Sequence, residues 1–158
     1  MQGTLTDQQA GPARTVPLTC EERTLRLLMG VLAPVFALTT LTFLFAPGHV
    51  GALIAAIGRW SGFAEVPTPG LGGPWWPLAV SMMSMITVIC ALAWRDVRRH
   101  RGLLPILLVS KGVSSVVGLG SFFLVARAFH YMVVFATDFP IFVVTAVLYL
   151  RAAPRRAA

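Results

Sequence analysis

Apolar residues in this chain gather into four long runs that are almost free of charge. A helix that is apolar all round belongs inside a large core or a bilayer. The first run covers 27–46, close to the roughly 20 residues needed to cross about 30 Å of hydrocarbon. The others cover 76–94, 103–125 and 131–150. Strands of a transmembrane barrel would alternate apolar and polar positions over about 10 residues, and no such alternation occurs. The pattern predicts an all-α integral membrane protein: a four-transmembrane-helix up-down bundle with both termini cytoplasmic.

The intervening segments complete the organisation. Residues 1–24 are polar and broken by Gly3, Gly11, Pro12 and Pro17, and read as a flexible cytoplasmic tail. Thr19, followed by Glu21 and Glu22, is placed as a helix N-cap. The first run starts too far from the terminus for a secretory signal, so it is expected to be retained. The membrane domain is 25–150, and 151–158 form a basic cytoplasmic tail.

The longest connection, 47–74, opens with Pro47 and Gly48 and closes with the Pro/Gly-rich stretch from Pro67 to Pro74. Between them, Val50 to Gly58 is apolar but too short to span, and it ends in Arg59, Trp60 and Phe63. That mixture suits a helix lying in the membrane interface, with a re-entrant segment as the alternative.

Charge changes the picture by orienting it. Only 12% of the 158 residues are charged and 56% are hydrophobic, against about 25% charged in a soluble domain. The net charge is +7, yet the basic residues sit at the ends of the runs. No basic face with interleaved aromatics exists elsewhere, which argues against nucleic acid as a partner. In a four-span arrangement Arg14, Arg23, Arg26, Arg95, Arg98, Arg99, Arg101, Arg151, Arg155 and Arg156 share one side. The other side carries only Arg59 and Arg127. The positive-inside rule makes the arginine-rich side cytoplasmic. Trp75, Trp76 and Trp94 bracket the second span as interfacial aromatics do. Arg95, Arg98, Arg99 and Arg101 read as a topology anchor able to hold anionic lipid headgroups.

Two ionisable residues break the apolar runs: Lys111, the sole lysine, and Asp138. Charges at membrane depth face a bundle interior, pair with each other, or line a pathway. Lys111 lies eight residues beyond Leu103, roughly 12 Å deep, and Asp138 twelve residues before Leu150, roughly 18 Å from the same face. The lysine stem can bridge that difference by snorkelling. Lys111, Ser114, Ser115 and Gly118 share one face of the third span, flanked by Ser110 and Ser121, as small residues do where helices approach closely. Pro140 lacks a backbone donor and displaces the carbonyl of Ala136, which would suit a cation or proton site beside Asp138.

Three readings of this polar centre stay open. It is a structural ion pair fixing helix register, a proton- or ligand-coupled site, or two unpaired groups, one meeting a partner subunit or Lys111 snorkelling to the cytoplasmic face, with Asp138 protonated as a hydrogen-bond donor. Other chemistry finds little support. Met82, Met83 and Met85, with Cys90 on the same span, could offer soft-metal ligands, but methionine in an apolar helix is mostly packing filler. His49, His100 and His130 all lie at or beyond span ends. No phosphate-binding glycine loop, nucleophile elbow or HExxH occurs, and His49, Arg59 and Glu65 have no catalytic spacing. No metal, no cofactor and no enzymatic activity are expected. The expected partners are the lipid bilayer and another membrane subunit or a second copy. The expected function is a non-enzymatic accessory, assembly or structural interaction subunit of a bacterial inner membrane, with a small homo-oligomeric transporter or proton-coupled channel-like protein as the alternative.

Overall fold

The computed structural model describes residues 17–63 and 75–152, the side chain of Trp75 excepted. These residues form five α-helices and no strand. They are α1 (Cys20–Phe45), α2 (Pro47–Trp60), α3 (Trp75–Arg95), α4 (Leu104–Leu124) and α5 (Phe129–Arg151), with a 3₁₀ turn, Arg101–Leu103, leading into α4.

Local sequence explains where each helix begins. A complete capping box starts α1: Glu22 N–H donates to Thr19 Oγ1 at 3.2 Å, and Thr19 N–H donates to Glu22 Oε2 at 2.9 Å. Two otherwise unpaired donors are satisfied reciprocally. Helix α1 therefore starts at Cys20, inside the segment read from sequence as tail, and its 26 residues extend roughly 39 Å. Pro47 occupies the first turn of α2, where its missing N–H costs nothing, so Ala46 alone separates α1 from α2. The short apolar segment is thus a 14-residue helix, longer than Val50–Gly58. Phe129 and His130, which precede the run 131–150, already belong to α5, and Arg151 is its last residue. The Pro67–Pro74 run, Glu65, Arg14, Arg155 and Arg156 lie outside the described residues.

Packing is by helix pairs. Helices α1 and α3 lie along one another, as do α4 and α5, whereas α3 meets α4 sparsely although a short link joins them. Two hydrogen bonds fix opposite ends of the first pair: Trp76 Nε1 donates to the Phe43 carbonyl at 2.8 Å, and Arg26 Nε to that of Trp94 at 2.7 Å. The second pair closes tightly at Gly118, where an added Cβ would lie 3.2 Å from the Tyr131 carbonyl oxygen. Phe63, just past α2, sets its ring 5.3 Å from Phe129 and 6.1 Å from Phe122. That contact docks the end of α2 on the turn between α4 and α5.

The core follows helical periodicity. Leu25, Met29, Leu32, Ala33 and Phe36 of α1 meet Ile86, Ile89, Cys90 and Ala93 of α3, with Leu104 and Leu107 of α4 and Ala152 closing one end. The exterior reverses the habit of soluble proteins. Leu27, Val31, Leu38, Val109, Val116 and Leu124 are exposed, while Lys111, Ser115, Asp138 and Thr145 are buried. Four helices, α1, α3, α4 with its 3₁₀ turn, and α5, are long and apolar enough to cross a membrane. An apolar exterior around polar interior groups is what a hydrocarbon solvent favours.

Candidate functional site

The polar centre is assembled by three helices. Buried positions on α4 recur at Leu104, Leu107, Lys111, Ser115 and Gly118, a helical stripe that aims the lysine into the protein. Lys111 is 2% exposed, and its Nζ lies 2.7 Å from Asp138 Oδ1 on α5. Phe36 of α1 covers the same ammonium, with its ring centre 4.6 Å away. This is cation–π geometry, most favourable when the cation is desolvated.

Asp138 has a second donor. Its Oδ2 accepts from Ser114 Oγ, so each carboxylate oxygen has a partner. Ser115 Oγ donates to the Lys111 carbonyl at 2.6 Å, one turn back, and Ser114 Oγ also approaches that carbonyl at 3.2 Å. The centre carries no net charge and its acceptors are satisfied, the condition under which a buried polar network holds a unique arrangement. Thr145, also buried on α5, has a hydroxyl without a hydrogen-bond partner.

Lys111, Asp138, Ser114 and Ser115 therefore come together, and Pro140 does not. Pro140 and Ala136 are both exposed. Each is two residues from Asp138, about 200° around a helix of 3.6 residues per turn. Sequence proximity was the wrong guide here because neighbours two apart occupy opposite faces.

The methionine and cysteine grouping also separates. Cys90 is buried in the core and Met83 packs against that core, while Met82 and Met85 are exposed on another face of α3. Among the described residues, no three His, Cys, Asp or Glu side chains gather as metal ligands would.

The basic link between α3 and α4 forms a second polar centre. Arg98 donates to Glu22 of α1 through Nε at 2.9 Å and Nη2 at 2.6 Å, and also to the Pro17 carbonyl at 2.8 Å. Arg101 donates to the Tyr149 carbonyl at 2.5 Å and to that of Ala152, with its guanidinium 4.7 Å from the Tyr149 ring centre. Asp96 Oδ1 accepts from the backbone N–H groups of Arg98 and Arg99 at 3.1 and 3.0 Å. Donation from Arg99 N–H and then Arg98 N–H holds the Asp96 carboxyl below its ordinary range. Carboxylates nearby, chiefly Glu22 by hydrogen bonding, raise the Arg98 guanidinium further.

Arg98 and Arg101, two of the four arginines read as a headgroup anchor, thus bind other parts of this chain, and Arg95, Arg98 and Arg99 are exposed. Sequence reasoning missed Phe36, Glu22 and the α5 carbonyls as partners. Only Glu22 carried a signal, being acidic on the side where arginine accumulates. Compared with protein-family models, curated proteins and solved structures, the chain matches none.

Proposed function

We propose that this chain is a small polytopic protein of a bacterial cytoplasmic membrane, crossing it four times up and down with both termini inside. In this reading it acts as a non-enzymatic accessory, assembly or structural interaction subunit. The observation that carries it is the closure of the Lys111–Asp138 centre: three helices contribute, both carboxylate oxygens are engaged, and an aromatic ring covers the ammonium. A pair so enclosed fixes helix register, the best attested use of buried ions. The apolar exterior and the clustering of arginine at the start of α1 and in the α3–α4 link support insertion with that face inside.

One observation favours a second reading, a small homo-oligomeric transporter. Ser114 both binds Asp138 and lines an open groove between α3 and α4, leaving the carboxylate one hydroxyl from the exterior. Native mass spectrometry of the protein gently extracted from its own membrane separates the two. A stoichiometric second polypeptide is expected for a subunit. A self-associated species whose proton flux disappears with Asp138→Asn, at unchanged abundance, would overturn the subunit reading in favour of the transporter.

A further inference from the structure

Helices α3 and α4 diverge, leaving an open groove of about 660 Å³ walled by Met82 and Met85 on one side and by Ile106, Val109, Val113 and Val117 on the other. Its α4 wall runs from Pro105 to Val117, roughly 18 Å at 1.5 Å per residue. The wall is apolar almost throughout; of its two serines, Ser110 and Ser114, the second turns its hydroxyl inward to Asp138. The volume lies within the range of small-molecule sites. A hydrocarbon chain matches a groove this long and this apolar.

The end of the groove at Pro105 and Ile106 follows directly on the link between α3 and α4. There Arg98 is committed to Glu22 and Pro17, and Arg101 to the end of α5. Arg95 and Arg99 are exposed alongside Arg98, and Asp96, which interacts electrostatically with Arg99, accepts from two backbone N–H groups. Guanidinium is the side chain best shaped for a phosphate, which it grips with two parallel hydrogen bonds.

We infer that the groove is a binding site for one anionic glycerophospholipid, with an acyl chain between α3 and α4 and its phosphate on Arg95 and Arg99. The site rests on the membrane-spanning reading above, and goes beyond generic headgroup attraction by fixing one lipid in one place. It predicts selectivity by charge at one end and occupancy by shape along the other.

The test is native mass spectrometry of the detergent-purified full chain, titrated with phosphatidylglycerol and with phosphatidylcholine of the same acyl chains. One phosphatidylglycerol is expected to bind about tenfold more tightly than phosphatidylcholine, since each arginine near a headgroup favours the anion. Arg95→Gln with Arg99→Gln should erase the preference, and Val113→Trp, which fills the groove, should weaken both lipids. Wild-type protein gives an independent measurement that needs no variant. A photoreactive acyl chain on phosphatidylglycerol should label peptides containing Met82, Met85 or Val109. Equal binding of the two lipids, labelling elsewhere, or cross-linking of Met82 to a second polypeptide would overturn the site. Carbonate extraction keeps the underlying reading separate: release into the supernatant would overturn both, whereas a pelleted protein without lipid preference would overturn the lipid site alone.

Discussion

The Lys111 ammonium lies 4.6 Å from the centre of the Phe36 ring, so the buried cation is held from α1 as well as from its ion-pair partner on α5. The contact joins the α1–α3 pair to the α4–α5 pair at the level of the buried charges. An aromatic face supplies electrostatic attraction where water is absent, and Leu or Ala at 36 would supply none. Phe36→Leu is expected to lower stability by about 1–2 kcal/mol. Most of that cost should vanish when Lys111 is already Met. A double-mutant cycle from denaturation in mixed micelles reads the coupling, and strictly additive costs would refute it.

Removing one partner of the ion pair leaves the other charge buried without compensation. Asp138→Asn and Lys111→Met are each expected to cost about 3–5 kcal/mol, while Lys111→Met with Asp138→Leu should recover most of the loss. Thermal denaturation of the three variants in one detergent decides the matter. A double variant as unstable as the sum of the singles would assign the pair net stabilisation as well as register.

Gly118 and Gly120 provide a matched comparison within one helix. A Cβ at Gly118 would sit 3.2 Å from the Tyr131 carbonyl oxygen, 3.3 Å from Val134 Cγ1 and 3.4 Å from the Phe135 nitrogen, whereas at Gly120 it would meet nothing within 4 Å. Two of the three obstacles are backbone, which cannot move without separating α4 from α5. Gly118→Ala is expected to destabilise by about 1–3 kcal/mol through overpacking. Gly120→Ala should be neutral or stabilising by up to about 1 kcal/mol, the helix preference of alanine over glycine. Equal effects in melting experiments would mean that α4 and α5 do not approach at Gly118.

The helices were legible because apolar runs of spanning length leave few alternatives, and the capping box was legible because it is local. Lys111 and Asp138 could be brought together by depth arithmetic alone, since two charges within reach in an apolar medium have few other partners. Pro140 was misplaced because adjacency along the chain was taken for adjacency in space. Phe36 gave no signal among many apolar positions in α1. The groove was equally hidden, as nothing in the runs tells that α3 and α4 diverge while α1 stays against α3. Residues joined by short links are usually packed together, and here that tendency fails.

Asp96 gives a pH dependence whose sign follows from its backbone contacts. The N–H groups of Arg99 and Arg98 favour the ionised carboxyl and lower its folded-state pKa. Such a group contributes stability above the unfolded value, about 3.9, and the contribution disappears as pH falls through the folded value. Asp96→Asn is therefore expected to be less stable than wild type near neutrality, with the two curves converging below about pH 4. Melting temperatures of both proteins between neutral and acidic pH test this. A constant gap across the range would place the effect of the substitution outside this carboxylate.

Orientation is decided by two positions on opposite sides of the proposed bilayer. Cys20 is exposed at the start of α1, on the arginine-rich side, and Cys90 is buried in the core, so native protein offers one reactive thiol among the described residues. Ser61, exposed just after α2, lies on the other side in the proposed topology. A membrane-impermeant maleimide should leave Cys20 unlabelled in intact cells and label it in inverted vesicles. Ser61→Cys, in a Cys20→Ser background, should show the opposite pattern. Arginine excess sets orientation by resisting translocation, so the prediction concerns the whole bundle and not one helix. Labelling of Cys20 from outside, with Ser61→Cys labelled only from inside, would invert the topology and put Arg95 and Arg99 on the outer leaflet. If both sites were labelled from the same side, α1 would not cross, and the four-span arrangement itself would fail.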